Sequence, residues 1–316
     1  MKLFFTIIFL TTFILLFLFP HTATSYAKEG LYIWMQNVLP SLYPFMILQS
    51  VFIQLKYDEF LGKLLKPVMK YLFPLSECAY FAIPLGFLCG FPMGAIVTTK
   101  LYQEKKLNKK EAELLLSFCN NIGPVYTLTM ILPIFPKEYH LFILFLMYGI
   151  PFLYGSLLSH LLHKRKKEFY ETKKENNIVK TQKETIEKSF CSIFFSAVKQ
   201  AGESILTLGG CMIFFSILRI FLEIIPNDTP LLQCIGTGSI EVGSFVQVLS
   251  ENISLFSYGE SILILSGVIT GGLSCFMQTC SIIEGTDLSI NKYLFHKCIQ
   301  TLLWIFIGTI RFFLIS

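Results

Sequence analysis

The chain has 316 residues, of which 53% are hydrophobic and 15% are charged. Soluble domains average about 25% charged residues, so this composition excludes a soluble enzyme, and it is also too apolar for a disordered chain. Several apolar runs reach the roughly 17–25 residues that cross a bilayer. The net charge of +5 matters less than the clustering of the 26 Lys and Arg residues. The sequence therefore predicts an all-α, polytopic membrane protein.

The first apolar run, Leu3–Phe19, follows Lys2 and precedes Ser25-Tyr26-Ala27. This order is typical of a cleavable signal peptide, but the run is long for the apolar core of one and just long enough to cross a bilayer. We interpret residues 1–30 as a first transmembrane helix that is retained, with cleavage as the alternative.

The stretch Phe73–Thr99 lies between two lysine-rich loops, at positions 56–70 and 100–110. Lysines in short loops stay in the cytoplasm, so a single crossing between these loops would conflict with the charges. The stretch also contains three prolines and a Gly-x3-Gly-x3-Gly spacing over residues 86–94, which weaken a straight helix. We therefore predict a re-entrant hairpin. The alternative is one kinked span packed through its small residues.

A charged segment divides the chain into two membrane halves. Residues 163–189 hold nine of the 26 Lys and Arg residues and show almost no apolar periodicity, which predicts a basic cytoplasmic linker. Before this linker we predict membrane repeat 1, residues 31–135, and a connecting transmembrane helix, residues 136–162. After it, residues 190–316 form membrane repeat 2.

The second repeat contains its own glycine-broken stretch, Ser261–Ile283. Residues 271–279 match residues 86–94 at three of nine positions, and the flanking elements follow in the same order. An odd number of crossings separates the halves, so the second is inverted. We predict two inverted repeats, each containing a re-entrant broken-helix hairpin. Such repeats are typical of secondary transporters, which bind solutes where the breaks meet.

The helix breaks supply the candidate solute site, because an interrupted helix leaves backbone donors and acceptors unpaired. Glycines let backbones approach closely, and amide side chains offer both donors and acceptors. The amides could instead satisfy only the broken backbone, and both interpretations stay open. The predicted site residues are Gly86, Gly90, Phe91, Pro92, Gly94, Asn120, Asn121, Gly123, Gly271, Gly272, Ser274 and Gln278.

Glu241 lies between glycines in the segment 238–243 and is a candidate ligand for a coupling cation or proton, since charges inside membranes are usually functional. The alternative is an exposed carboxylate at the membrane interface. The sequence shows no nucleophile–base pair, carboxylate dyad, phosphate-binding loop or nucleic-acid module, so neither an enzyme nor a nucleic-acid partner is predicted. The nine cysteines and five histidines show no ligand spacing, so we predict no metal and no cofactor.

Three motifs carry a resemblance to known proteins. They are GFLCGFPMGA at residues 86–95, KKEAELLLSFCNNIGP at 109–124 and GLSCFMQ at 272–278. They resemble the motifs of YlbJ-type sporulation integral membrane proteins, and the resemblance covers most of the chain. It implies membership of the wider nucleoside-recognition (Gate-domain) superfamily and a place in a membrane of the sporulating cell or forespore. It also implies transport of a small anionic metabolite, with dipicolinate ahead of a nucleoside-like solute.

We expect a multi-pass carrier in the cell membrane, with a small polar or anionic solute bound between two broken hairpins. Two alternatives stay open: a non-transporting scaffold that recruits sporulation partners through the basic linker, and a pore gated by a partner. The expected partners are the solute, the lipid bilayer, and either a second copy of the chain or sporulation membrane proteins.

Overall fold

The computed structural model describes residues 2–170, 189–224 and 230–315, and every regular element in these ranges is helical. Five helices are long and apolar enough to cross a membrane, or up to seven if each of two sharply bent helix pairs counts as one span. The predicted all-α, multi-pass architecture is confirmed. Helices suit this setting because they satisfy their backbone hydrogen bonds internally, where the bilayer offers no water.

The first half begins with a bend that the sequence analysis did not place. Proline occupies the first turn of α2, and the helices on either side of it are inclined by 112°. The second helix therefore begins at residue 20 rather than near residue 31. The helices of this half are α1 (Lys2–Leu18), α2 (Pro20–Ile33), α3 (Leu39–Gln54), α4 (Tyr57–Leu72), α5 (Glu77–Cys89), α6 (Met93–Gln103), α7 (Lys109–Cys119), α8 (Pro124–Tyr126), α9 (Lys137–Leu144) and α10 (Ile150–Tyr170).

Short π-helical turns join several of these helices into longer ones. Trp34–Val38 connects α2 to α3, and Phe145–Gly149 connects α9 to α10. A third π-helical turn, Thr127–Ile131, extends α8, so that Lys109–Ile134 forms one candidate span. Most of the predicted basic linker, residues 171–188, lies outside the described residues.

The second half starts with a long helix, which continues as a 3-10 helix over Leu218–Ile224. Its remaining helices are short until the last one. The helices of this half are α11 (Phe190–Ile217), α12 (Pro230–Ile240), α13 (Val242–Asn252), α14 (Tyr258–Ile264), α15 (Gly267–Thr270), α16 (Gly272–Ile283) and α17 (Ile290–Ile315).

The chain turns back between α5 and α6. A Cβ atom added to Gly86 would lie 2.3 Å from the Cys119 carbonyl oxygen, and one added to Gly94 would lie 2.2 Å from the same atom. Residues eight apart on a straight helix are about 12 Å apart, so these two glycines can meet one atom only if the helices fold onto each other. Gly90 makes the turn with a φ of 83°, which favours glycine, and the following Phe91–Pro92 peptide bond is cis.

This turn brings the lysine-rich loops to one face of the protein. Lys106 Nζ lies 2.7 Å from Asp58 Oδ2 at the start of α4. Lys100 Nζ donates to Ser50 Oγ on α3 at 2.9 Å and to Gln200 Oε1 on α11 at 3.1 Å. These contacts define a surface that we call the lysine face. The two loops share a face, as the charge pattern requires of them.

The predicted turn within Ser261–Ile283 is absent, because α14, α15 and α16 continue one another as a single candidate span, Glu260–Ile283. Gly271 and Gly272 have φ values of 76° and 65°, which interrupt the helix without reversing it. The loop after α16 reaches the lysine face, where Lys109 Nζ lies 3.0 Å from Asp287 Oδ2.

The second reversal lies earlier, at the junction of α12 and α13, which pack against each other. Glu241 separates them in an extended conformation, with φ −149° and ψ 129°. A Cβ atom added to Gly238 would lie 3.0 Å from the ring of Phe245, so the small residue permits the close packing. The broken pair in this half is therefore α12–α13.

Candidate functional site

A central cavity of about 480 Å³ lies where three helix breaks meet. Phe91 enters its wall from the turn after α5, Gly123 from the break before α8, and Glu241 from the α12–α13 junction. Gln278 on α16 completes the set of predicted residues that line it. The structure thus brings together four predicted residues from four separate elements, and a cavity of this size suits a small-molecule ligand.

Two further amides in the wall were missed by the sequence analysis. Gln36 and Asn37 lie on the π-helical turn between α2 and α3 and line the same cavity. The sequence contained a signal for them, because two adjacent amides interrupt the mostly apolar run 31–55. Because both line the cavity and can donate and accept hydrogen bonds, they are candidates for solute contact.

Glu241 is buried, with only 4% of its surface exposed, and so does not behave as an exposed interfacial carboxylate. It caps the start of α13: its Oε1 accepts from the Gly243 backbone N–H at 2.9 Å, and its Oε2 accepts from the Ser244 N–H at 2.7 Å. A helix N-terminus stabilises a carboxylate through its free N–H groups and its dipole. The acid is therefore held rigidly at the cavity wall.

Three predicted glycines, Gly86, Gly90 and Gly94, pack the breaks together and do not line the cavity. Gly86 and Gly94 lie against Cys119, as described above, and a Cβ atom on Gly90 would lie 2.3 Å from the Gly123 backbone nitrogen. Pro92 lines a second, smaller cavity. These residues lie outside the central cavity and hold its wall in position through backbone packing.

The predicted residues of α16 divide between packing and orientation. A Cβ atom on Gly272 would lie 2.8 Å from the Gly238 carbonyl oxygen, so this glycine lets α16 approach α12. A Cβ atom on Gly271 would meet the side chain of Cys275. Ser274 Oγ accepts from Gln278 Nε2 at 3.1 Å and thereby orients that amide.

The asparagine pair joins the two halves through side-chain hydrogen bonds, and one of its bonds goes to the backbone at the break. Asn120 Nδ2 donates to Thr279 Oγ1 at 3.1 Å and to the Tyr293 hydroxyl at 3.3 Å. Asn121 Nδ2 donates to the Phe118 carbonyl oxygen at 2.5 Å, and its Oδ1 accepts from Lys297 Nζ at 2.7 Å. Neither amide lines the central cavity.

Lys297 was missed altogether, although it is fully buried. Its ammonium lies 5.3 Å from the centre of the Phe91 ring, directly behind the cavity wall. A lysine within the apolar run 293–315 is an intramembrane charge, which by itself marks a residue for attention.

Three cavities follow one another from the centre to the lysine face. The central cavity shares Leu208 and Gln278 with a second cavity of about 210 Å³. That cavity shares Ile96, Ser204 and Ile282 with a third of about 170 Å³, whose lining includes Lys100. The series runs between α6, α11 and α16.

Polar contacts also tie the halves together at the lysine face. The Tyr102 hydroxyl and the Lys109 ammonium both donate to the Asp287 carboxylate. The Tyr102 hydrogen bond, followed by that of Lys109, holds the pKa of the Asp287 carboxyl below its usual value. The charged form of Asp287 is therefore the form that fits these contacts.

Asp287 should make the stability of the folded protein depend on pH in the acidic range. Because its pKa is lowered in the folded state, its contribution is present above the unfolded pKa of about 3.9 and is lost as the pH falls through the folded value. We expect thermal unfolding to occur at a lower temperature in Asp287→Asn than in the wild type at pH 7, by a small amount because the pair is exposed. The difference should shrink below about pH 4. Glu284→Gln, an exposed neighbour, is the control; an unchanged difference at pH 3 would contradict the assignment.

Comparison with known proteins adds one relative. The sequence is similar to the sporulation integral membrane protein YlbJ of Bacillus subtilis (strain 168), with 27% identity over 313 aligned residues, covering 89% of this chain and 75% of that protein. No family model and no solved structure matches the chain. The similarity supports a YlbJ-type assignment and, together with the apolar helices, confirms a multi-pass membrane protein.

Proposed function

From its YlbJ-type assignment and its central cavity, we propose that this protein is a carrier of the sporulating cell that moves a small polar or anionic metabolite across a membrane. The observation that supports this most directly is the cavity of about 480 Å³ at the meeting point of three helix breaks. Broken helices at an internal cavity are the usual construction of a solute site in secondary transporters.

The lining chemistry favours a flat solute with polar edges. Phe91 and Tyr126 offer aromatic faces, and Gln36, Asn37 and Gln278 offer amide donors and acceptors. Among the described lining residues the one formal charge is that of Glu241, and neither Lys nor Arg takes part. A carboxylate solute such as dipicolinate would therefore need a proton or cation to offset the acid, because two uncompensated anions in a low-dielectric site repel strongly.

The proposal includes two inverted repeats, with boundaries that follow the breaks. In this scheme α3, α5–α6, α7–α8 and α9–α10 correspond to α11, α12–α13, α14–α16 and α17. Each set contains one pair that folds back and one interrupted span. The first helix of the first set, α3, ends at the lysine face, whereas the first helix of the second set, α11, starts there. The second set would therefore cross the membrane in the opposite direction to the first. Repeats of this kind support alternating access to a central site.

The series of cavities supplies the route on one side of that site. It leads from Gln278 past Ser204 to Lys100, and the lysine face would lie in the cytoplasm under the positive-inside rule.

Transport by the purified full chain in liposomes tests the proposal. We expect uptake of labelled dipicolinate under a proton or sodium gradient, above that of protein-free liposomes. Gln278→Leu should lower uptake by about tenfold, since it removes a buried amide that faces the solute. Gln247→Leu, which changes an exposed glutamine on α13, should leave uptake unchanged.

Two results would contradict the carrier. One is folded protein that moves neither dipicolinate nor nucleosides under either gradient. The other is equal uptake by the two glutamine variants, which would mean that the cavity is not the route.

A further inference from the structure

Lys297 is a buried lysine with no counter-ion among the described residues. It is 0% exposed, and no carboxylate oxygen of those residues lies within 4 Å of its Nζ. Its hydrogen bond goes to Asn121 Oδ1 at 2.7 Å, and the rings of Phe91 and Tyr293 have their centres at 5.3 and 5.9 Å. An ammonium this deep in a membrane protein is strongly unfavourable unless something replaces the missing anion.

The carboxyl end of α7 supplies that replacement. The helix ends at Cys119, and in its last turn the Ser117 carbonyl oxygen faces α17. Gln300 Nε2, one turn beyond Lys297, donates to the Ser117 carbonyl at 2.6 Å, while Asn121 Nδ2 donates to the Phe118 carbonyl at 2.5 Å. A helix C-terminus carries about half a negative charge, so the ammonium is stabilised by the helix end through Asn121.

The same break has spare acceptor capacity. Asn120 Oδ1 is buried and has no hydrogen-bond partner, although Nδ2 of the same amide has two. An acceptor-rich helix end at a break is where transporters with interrupted helices bind their coupling cation. In this protein an ammonium that is covalently part of α17 lies at that end.

We propose that Lys297 is a tethered cation that takes the place of a bound alkali-metal ion at the α7 break, so that this break folds without Na⁺ or K⁺. The coupling of this site to transport rests on the proposed function. The substitution for a metal ion does not, because it concerns only the fold around the break.

The charge also supports the cavity wall. Phe91 presents one side of its ring to the ammonium and lines the central cavity, so the cation–π contact fixes the position of that wall. Loss of the positive charge should therefore loosen the site as well as the break.

The decisive measurement is the thermal unfolding temperature of the purified full chain in detergent. We expect the wild type to unfold at the same temperature in NaCl, KCl and choline chloride of equal ionic strength. Lys297→Ala should unfold several degrees lower, and n-propylammonium chloride should restore much of that loss, because the small cation can occupy the vacated space. n-Propanol, which is similar in size but uncharged, should not.

Two variants control for volume and for general effects of salt. Lys297→Met fills the space without a charge and should gain nothing from n-propylammonium. Lys199→Ala removes an exposed lysine of α11 and should behave as the wild type does.

Stabilisation of the wild type by several degrees in NaCl or KCl relative to choline chloride would overturn the inference. So would equal responses of Lys297→Ala and Lys297→Met to n-propylammonium. If Lys297→Ala yields no folded protein, the salt comparison on the wild type still decides. The unfolding measurement requires no solute, so it can support the role of Lys297 even if the liposomes show no transport. Equally, transport in liposomes would not depend on the outcome of the unfolding measurement.

Discussion

Gly86→Ala is expected to destabilise the protein severely, although alanine normally improves a helix by about 0.5–1 kcal/mol. The added Cβ atom would lie 2.3 Å from the Cys119 carbonyl oxygen and 2.8 Å from the Cys119 Cβ. Neither atom is the free end of a flexible side chain, so α5 must move away from α7. Overpacking of this kind costs about 1–3 kcal/mol, and we expect the upper end of that range or more.

Gly210→Ala is the matched control, because this glycine also lies inside a helix but a Cβ atom there would contact nothing within 4 Å. Its stability should equal or exceed that of the wild type. Denaturant unfolding of both variants in detergent, with size-exclusion chromatography to confirm the folded state, measures the difference. Equal stability of the two variants would mean that the α5–α6 turn is not packed on α7 as described.

Glu241 should show the largest effect on transport. Glu241→Leu removes both acceptors at the start of α13 and leaves the Gly243 and Ser244 N–H groups buried without partners, at about 1–3 kcal/mol. Glu241→Gln keeps one acceptor and should lose less than about 1 kcal/mol of stability. If the carboxylate binds a coupling proton or cation, both variants should lower uptake by more than about tenfold.

The comparison of the two variants separates a structural role from a coupling role. Glu251→Gln and Glu251→Leu, at an exposed position on the same helix, are the controls and should retain uptake. A Glu241→Gln variant that is stable and transports at the wild-type rate would assign Glu241 to helix capping alone.

The turn between α5 and α6 could be predicted because two independent signals agreed. The lysines of the two loops predicted that both loops lie on the same side of the membrane. The prolines and glycines between the loops predicted a break in the helix, where the chain could turn. The structure shows this turn at Gly90, with both loops on the lysine face.

The second turn could not be located in the same way. Gly271 and Gly272 gave the same glycine signal, but a positive φ at one or two residues permits continuation as well as reversal. The reversal at Glu241 depends on a carboxylate that binds backbone N–H groups, and on how closely Gly238 lets Phe245 approach. Those are tertiary contacts, which one sequence does not reveal.

The candidate site was predicted in part for a related reason. Phe91, Gly123, Glu241 and Gln278 line one cavity, while the neighbouring glycines pack behind it. Sequence position identifies a helix break but not which side chains point into the space it creates. Lys297, by contrast, was recognisable as a charge within an apolar run and should have been included.

The hydrogen bonds between α7 and α17 divide the helices around the cavity into two groups. Asn120, Asn121 and Gln300 link those helices, together with α16, through buried hydrogen bonds, whereas α11 packs mainly on α2 and α3. The central cavity lies on the boundary between these two bodies, with walls from each. If the protein is a carrier as proposed, a displacement that opens one side of the cavity and closes the other would move the α7, α16 and α17 group as a unit along α3 and α11, and a solute held by Phe91 and Gln278 would move with it.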